Sequence, residues 1–267
     1  MKSETGAPDV EEEIIVAPTE TEVLKAVPTA ADKAIESWVP KTQLGKKVKE
    51  GKITDIDEVL NNHIPIFESQ IVDALLPQME TDLLLIGQAK GKFGGGQRRV
   101  FRQTQKKTAE GNKPKFATCA VIGNKNGYVG VGYGKSKETV PARDKALRNA
   151  KLSIQRIRRG CGSWQCGCEE SHSIPYAVEG KCGAIKVRLM PAPKGKGLVA
   201  QRELQKILKL AGIQDIWTKT YGNTAQTLNL VRACVDALNK LVEMKIKEEY
   251  KQKLALCEGK LGEQHVI

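Results

Sequence analysis

The chain has 267 residues, 40% of them hydrophobic, which is material for one or two domains with buried cores. Its formal charge of +12 conceals a stronger bias: residues 1–40 hold nine acids against three lysines, so the other 227 carry +18, a balance that favours polyanionic partners. Aromatics at 4% exclude base stacking as the main binding mode, the lack of an apolar run of about 18 residues excludes a membrane-spanning helix, and the acidic start lacks the apolar stretch of a secretory signal.

A cytoplasmic home follows from these exclusions, and there seven cysteines point to a metal or to buried thiols before disulfides. Residues 1–37, acidic and without an apolar face, form an expected disordered extension. Residues 38–67 form a basic arm, with a short helix over Asp55 to Asn61 capped by Thr54. Glu68 to Leu85, interrupted by Pro77, suggests two short helical pieces. The stretch Gln88 to Lys115 holds nine Lys and Arg against Glu110 alone. Within it Val100 to Lys106 alternates as a strand, and Thr108 to Pro114 has the composition of a hairpin loop.

Phe116 to Ile122 reads as a buried strand, with Asn126-Gly127 as a two-residue turn into the partner strand Tyr128 to Tyr133. Gly130 and Gly132 strip one face of that strand, which signals close approach by a helix or a ligand. Thr139 to Arg158 then has the apolar stripe of a helix: Ala142, Ala146, Leu147, Ala150, Ile154 and Ile157. After an insert at 159–172, the pattern is strand 174–178, strand 184–189, helix 201–211 ending at Gly212, strand 215–220 and helix 224–243. Residues 244–267 are a charged tail.

Gly134-Lys135-Ser136 stands where a phosphate loop would, but position 129 is Val where the Walker pattern needs Gly, so nucleotide hydrolysis is excluded. Free amides there, with Lys135 and Lys137, suit an RNA phosphate instead. Gly95 and Gly96 allow a backbone to approach sugar-phosphate closely while Arg98 and Arg99 grip its oxygens. Arg102, Lys106, Lys107, Lys113, Arg143, Lys151, Arg156, Arg158 and Arg159 complete the candidate RNA-binding set. Cys161, Cys166, Cys168 and His172 place three thiols and an imidazole within twelve residues, the ligand set of a closed, structural zinc site, with Cys182 as an alternative fourth ligand. No nucleophile, base and oxyanion arrangement can be assembled, so the chain is expected not to be an enzyme. A free-standing RNA-binding or RNA-chaperone protein is one reading of this cation set.

FATCAVIGNKNGYVGVGYGKSKETVPARDKALRNAKLSIQRIRRG resembles the first domain of the small-subunit ribosomal protein family called S-five in bacteria and S-two in eukaryotes. GAIKVRLMPAPKGKGLVA and LAGIQDIWTKTYGNTAQTLNLVRACVDAL resemble its second. The arm WVPKTQLGKKVKEGKITDIDEVL, the segment ESQIVDALLP and the cysteine insert are similar to the archaeal form, whereas bacterial members lack the insert. The resemblance implies an α+β fold: a double-stranded-RNA-binding-like αβββα domain over 68–158, and a second α+β domain over 173–243 with a left-handed βαβ crossover, where sequence alone predicts the right-handed form. It further implies binding to small-subunit ribosomal RNA near the neck, contact with the neighbouring small-subunit proteins numbered four, three and eight, a place along the path by which messenger RNA enters, and support of decoding accuracy. The hairpin Val100 to Phe116 corresponds to the family loop that reaches toward the head of the subunit.

Overall fold

A computed structural model describes residues 38–89, 96 and 98–259. The expected extension 1–37, Gly95 and the last residues of the tail lie outside them.

The first sheet is built around one long strand. β1 (Glu80–Leu84), β2 (Arg102–Thr108), β3 (Gly111–Gly123), β4 (Tyr128–Ser136) and β5 (Ile154–Arg156) form it, all antiparallel. β1 and β2 share one edge of β3: Leu84 pairs with Cys119 at the inner half, and Arg102 with Ala117 at the outer half. The second helical piece expected before residue 85 is therefore strand β1. Its leucine run is too short to choose between periods by itself, and the open edge of β3 supplies the ladder hydrogen bonds. The hairpin is likewise longer than expected. β2 and β3 pair down to Thr108 and Gly111, so the tip is Ala109-Glu110 and residues 111–114 are strand, not loop. At the other end of β3 the left-handed positions are Lys125 (φ 59°) and Gly127 (φ 95°), not Asn126. Asn124 Oδ1 accepts the N–H groups of Asn126 and Tyr128 and closes that turn.

α4 (Thr139–Leu152) lies across β4. A Cβ on Gly132 would stand 2.1 Å from the Ala150 nitrogen, and one on Gly134 2.2 Å from the Ala142 oxygen, so the glycines serve helix approach rather than a ligand. The helix stops six residues before the expected Arg158. Ser153 Oγ donates to Val131 O at 2.8 Å, and Ile154 turns back to pair with Gly130 on the free edge of β4. Strand pairing thus overrides the helical spacing of Ile154 and Ile157.

Three short helices precede this sheet: α1 (Gln43–Lys49), α2 (Ile56–Asn61) and α3 (Ser69–Leu75). Thr42 caps α1 through Oγ1, while Asp55, not Thr54, occupies the N-cap of α2. The arm packs on its own chain: Trp38, Ile56, Val59 and Ile71 share an apolar cluster with Tyr128 and Ile154, and Tyr128 Oη donates to Asp57 Oδ2 at 2.7 Å.

The second half holds β7 (Val178–Cys182), β8 (Ile185–Pro191), β9 (Leu198–Val199), α5 (Arg202–Leu210), β10 (Ile216–Tyr221) and α6 (Thr227–Glu243). The sheet order is β7-β8-β10-β9, with β9 parallel to β10 around α5 and the other pairs antiparallel. The strand expected at 174–178 is displaced to 178–182. Pro175 cannot donate to a ladder, and Ile174 O accepts Gly162 N instead. Gly180 admits α6, since a Cβ there would stand 2.0 Å from Ala233 O. Gly212 (φ 84°) ends α5 as expected.

α5 joins the two sheets. Leu204, Ile207 and Leu208 are buried in one cluster with Cys119, Val121 and Val129 of the first sheet and Val187 and Leu189 of the second. Glu203, 3% exposed, accepts the Leu85 N–H at 2.8 Å. The tail also has structure: α7 (Glu248–Lys253) leads to β11 (Cys257–Glu258), which pairs with β6 (Arg158–Arg159).

Candidate nucleic-acid interface and metal centre

Strand alternation sorts the cations of the hairpin. Residues directly opposite in an antiparallel pair point to the same face, so Arg102 and Lys106 of β2, Lys113 and Lys115 of β3, and Lys135 of β4 stand together. The other face carries Gln103, Gln105, Asn112, Pro114, Phe116 and a single cation, Lys107. The cationic face is the one turned away from α4, because Gly134, which meets the helix, alternates with Lys135. Further along β3 the same face carries Cys119 and Val121, buried beneath α5. One face of one sheet thus changes from core to exposed cations as the hairpin leaves the body.

All five of these cations are exposed. Lys113 pairs with Glu110 at 2.7 Å on the surface, an interaction of little weight. Where β4 ends, Lys115, Lys135, Lys137 and Lys145 line one shallow depression with Glu138. Lys115 and Lys145 were not in the candidate set from sequence. The alternation of 113, 115 and 117 would have included Lys115 had the strand been started at Gly111. The amides expected to be free after Gly134 belong partly to β4, which runs to Ser136.

Other candidates are spent within the protein. Arg158 is buried, with Nε donating to Glu258 Oε1 at 2.6 Å and its terminal nitrogens to the carbonyls of Met244 and Val242. Arg159, 1% exposed, donates to Gly259 O. Burial lowers the pKa of its guanidinium, with the nearby Cys257 opposing. Both are therefore removed from the phosphate-binding set: they sit on a strand paired to the tail, not at a helix terminus. Arg156 is half-buried against Asn61 and Glu258, and Lys151 bridges to Asp73 at 2.6 Å. Arg98 is exposed and donates to Ala225 O, Arg99 is exposed, Gly96 is half-buried, and Arg143 is exposed beside Asp144.

The insert folds onto itself. Gly160 and Ser173 exchange backbone hydrogen bonds at 3.0 Å each, and Gly162 presses on Pro175, whose oxygen would lie 1.8 Å from any added Cβ. This crossing of the chain brings Cys161, Cys166, Cys168 and His172 together, with all four ligand atoms within 4.8 Å of one another. Cys161 Sγ is 3.6 Å from Cys168 Sγ, and Cys166 Sγ is 3.7 Å from His172 Nε2. Tetrahedral zinc with thiolate and imidazole arms sets such edges at about 3.5–3.8 Å. His172 and Asp215 are both buried, and Nδ1 hydrogen-bonds Asp215 Oδ2 at 2.8 Å, leaving Nε2 for a metal. The Lys194 backbone N–H beside the Cys166 sulfur holds that thiol down to about 6, while burial pushes Cys161 up to about 12. Cys182, the alternative ligand, instead packs with the core on β7. The donor set, spacing and oriented imidazole fit a closed four-coordinate ion, which would bind through these four residues and act structurally.

Residues 100–158 match the family model for the N-terminal domain of ribosomal protein S5, and residues 180–252 match that for its C-terminal domain. The chain is 48% identical over 227 residues to the small ribosomal subunit protein uS5 of Nanoarchaeum equitans, covering 85% of this chain and 97% of that one. It is 46% identical over 227 residues to uS5 of Methanocaldococcus jannaschii (85% and 98% covered) and 47% identical over 211 residues to that of Staphylothermus marinus (79% and 92% covered).

Proposed function

This chain belongs to the ribosomal protein S5 family, in its archaeal form, a family of structural ribosomal proteins rather than enzymes, and we propose that it is a constituent of the small ribosomal subunit that holds ribosomal RNA through the cationic face of the β2–β3 hairpin. The observation that carries this reading is the segregation of Arg102, Lys106, Lys113, Lys115 and Lys135 to one exposed face, on which Glu110 pairs with Lys113 at the surface and Glu138 lies beside Lys115 and Lys135. Lysines and arginines spaced along a protruding ladder match the repeat of phosphates along a backbone and carry no sequence preference of their own. Lys107, Lys137, Arg98, Arg99, Arg143 and the glycines Gly95 and Gly96 extend the interface.

In this reading the hairpin reaches toward the head of the subunit. The protein lies in the cytoplasm beside the small-subunit proteins numbered four, three and eight, along the path by which messenger RNA enters, and supports decoding accuracy. The helix Ser69–Leu75, the antiparallel strands and α4 form a double-stranded-RNA-binding-like unit over 68–158, and the β9–α5–β10 crossover over 173–243 is left-handed. Cys161, Cys166, Cys168 and His172 hold one zinc ion that clamps the insert between the two.

Binding of small-subunit ribosomal RNA by the purified chain tests this reading. Affinity is expected to fall by orders of magnitude between 50 and 200 mM salt, as several counterions are released, at about 10³-fold for six contacts. A flat salt profile contradicts it. Failure to co-sediment with small subunits after a high-salt wash would favour a free-standing RNA-binding protein.

A further inference from the structure

We propose that Asp215 is the positioning residue of the metal centre, and that through it the turn Pro193–Gly197 takes its shape from the bound metal. The inference rests on the reading of the Cys3His cluster as a zinc site. A single buried carboxylate serves two clients: Asp215 Oδ2 holds His172 Nδ1 at 2.8 Å, and Oδ1 accepts the Gly197 N–H at 2.7 Å. The backbone repeats the link, because the N–H groups of Gln214 and Asp215 both donate to His172 O. With the imidazole proton fixed on Nδ1, Nε2 is left unprotonated toward the three thiols, which sets both tautomer and ring plane.

The turn is tied to the cluster at its other end as well. The Lys194 backbone N–H lies beside Cys166 Sγ, and Lys194 Nζ pairs with Glu170 at 2.7 Å. Left to itself this turn has little to hold it. Its own closing bond, Lys196 N–H to Pro193 O, is long at 3.4 Å, Gly195 has nothing within 4 Å of its Cβ position, and Gly195 and Gly197 sit at φ 86° and 70°. Two left-handed glycines are the most costly residues to order, so the tie to Asp215, itself bonded to the ligand His172, is a main restraint on the turn. Gly197 O also accepts the Ile216 N–H, and Leu198 beside it begins edge strand β9. A metal ion thereby reaches the edge of the second sheet through one carboxylate.

The test is amide hydrogen exchange on the full chain, zinc-loaded and zinc-stripped, with metal content measured in parallel. Gly197 and Lys194 should exchange slowly when loaded and at least tenfold faster when stripped, while Val187 and Leu208 in the core stay unchanged. Asp215→Asn offers one accepting oxygen where two are used, so it should weaken zinc binding roughly 10- to 100-fold and alter the visible spectrum of the cobalt-substituted protein. Zinc bound at one equivalent with Gly197 exchange indifferent to it overturns the coupling and leaves the zinc reading standing. A chain that takes up no zinc overturns both. The wild-type arm decides the question even where Asp215→Asn folds poorly.

Discussion

Lys106 of β2 stands directly across the hairpin from Lys113 of β3, two exposed ammonium groups on the same face. Like charges in direct opposition destabilise a strand pair; the exposed Glu110 partner of Lys113 offsets this only weakly, and a bound polyanion would relieve the rest. Lys106→Gln is expected to lower the slope of log affinity against log salt for small-subunit ribosomal RNA by about 1 without lowering the melting temperature. Filter binding across a salt series measures the slope, and an unchanged slope removes Lys106 from the interface.

Arg158→Gln should behave in the opposite way. The side chain satisfies two carbonyls and Glu258 in a buried setting, so its loss leaves those acceptors unpaired and should cost about 2–4 kcal/mol in a urea titration. The salt slope for RNA should stay as in the wild type. A lowered slope with normal stability would return Arg158 to the phosphate contacts.

Gly132→Ala places a methyl group 2.1 Å from the Ala150 nitrogen and 2.2 Å from the Ala146 oxygen, both backbone atoms of α4. Helix and strand must separate to admit it, at a cost of about 2–3 kcal/mol from overpacking. Gly195→Ala meets nothing and is strained only by its positive φ, so it should cost no more than about 1–2 kcal/mol. Equal effects of the two substitutions on the denaturation midpoint would contradict the close-packing argument.

Alkaline pH should expose the buried thiols. Burial pushes Cys119 and Cys234 up to about 12 from an ordinary 9.0. A raised thiol pKa favours the folded state fully below pH 9, and the contribution is lost as pH rises from 9 toward 12. The urea midpoint should therefore fall above pH 9, and Cys234→Ala should flatten that fall while lowering stability near neutrality. An identical alkaline slope in the variant would assign the loss to other groups.

Local and chemical features were legible in the amino-acid sequence. Charge and composition favoured polyanionic partners, the glycines at 130 and 132 signalled close approach to β4 by a helix or a ligand, the run 201–212 was a helix with its glycine stop, and the three cysteines with His172 were a candidate ligand set in twelve residues. Features that depend on partners distant in the chain were settled by packing. Ile154 and Ile157 fit a helix stripe as well as a strand, and the open edge of β4 chose between them. Arg158 and Arg159 read as surface cations until residues 257–259 arrived to bury them. The cations of the hairpin became one face only through the register of β2 on β3, which a loop drawn at 108–114 had erased. Asp215, 43 residues from His172, carried no signal at all. Periodicity reports which side of an element is apolar; which cation stays in water, and which carboxylate meets an imidazole, is settled when remote elements compete for the same buried space.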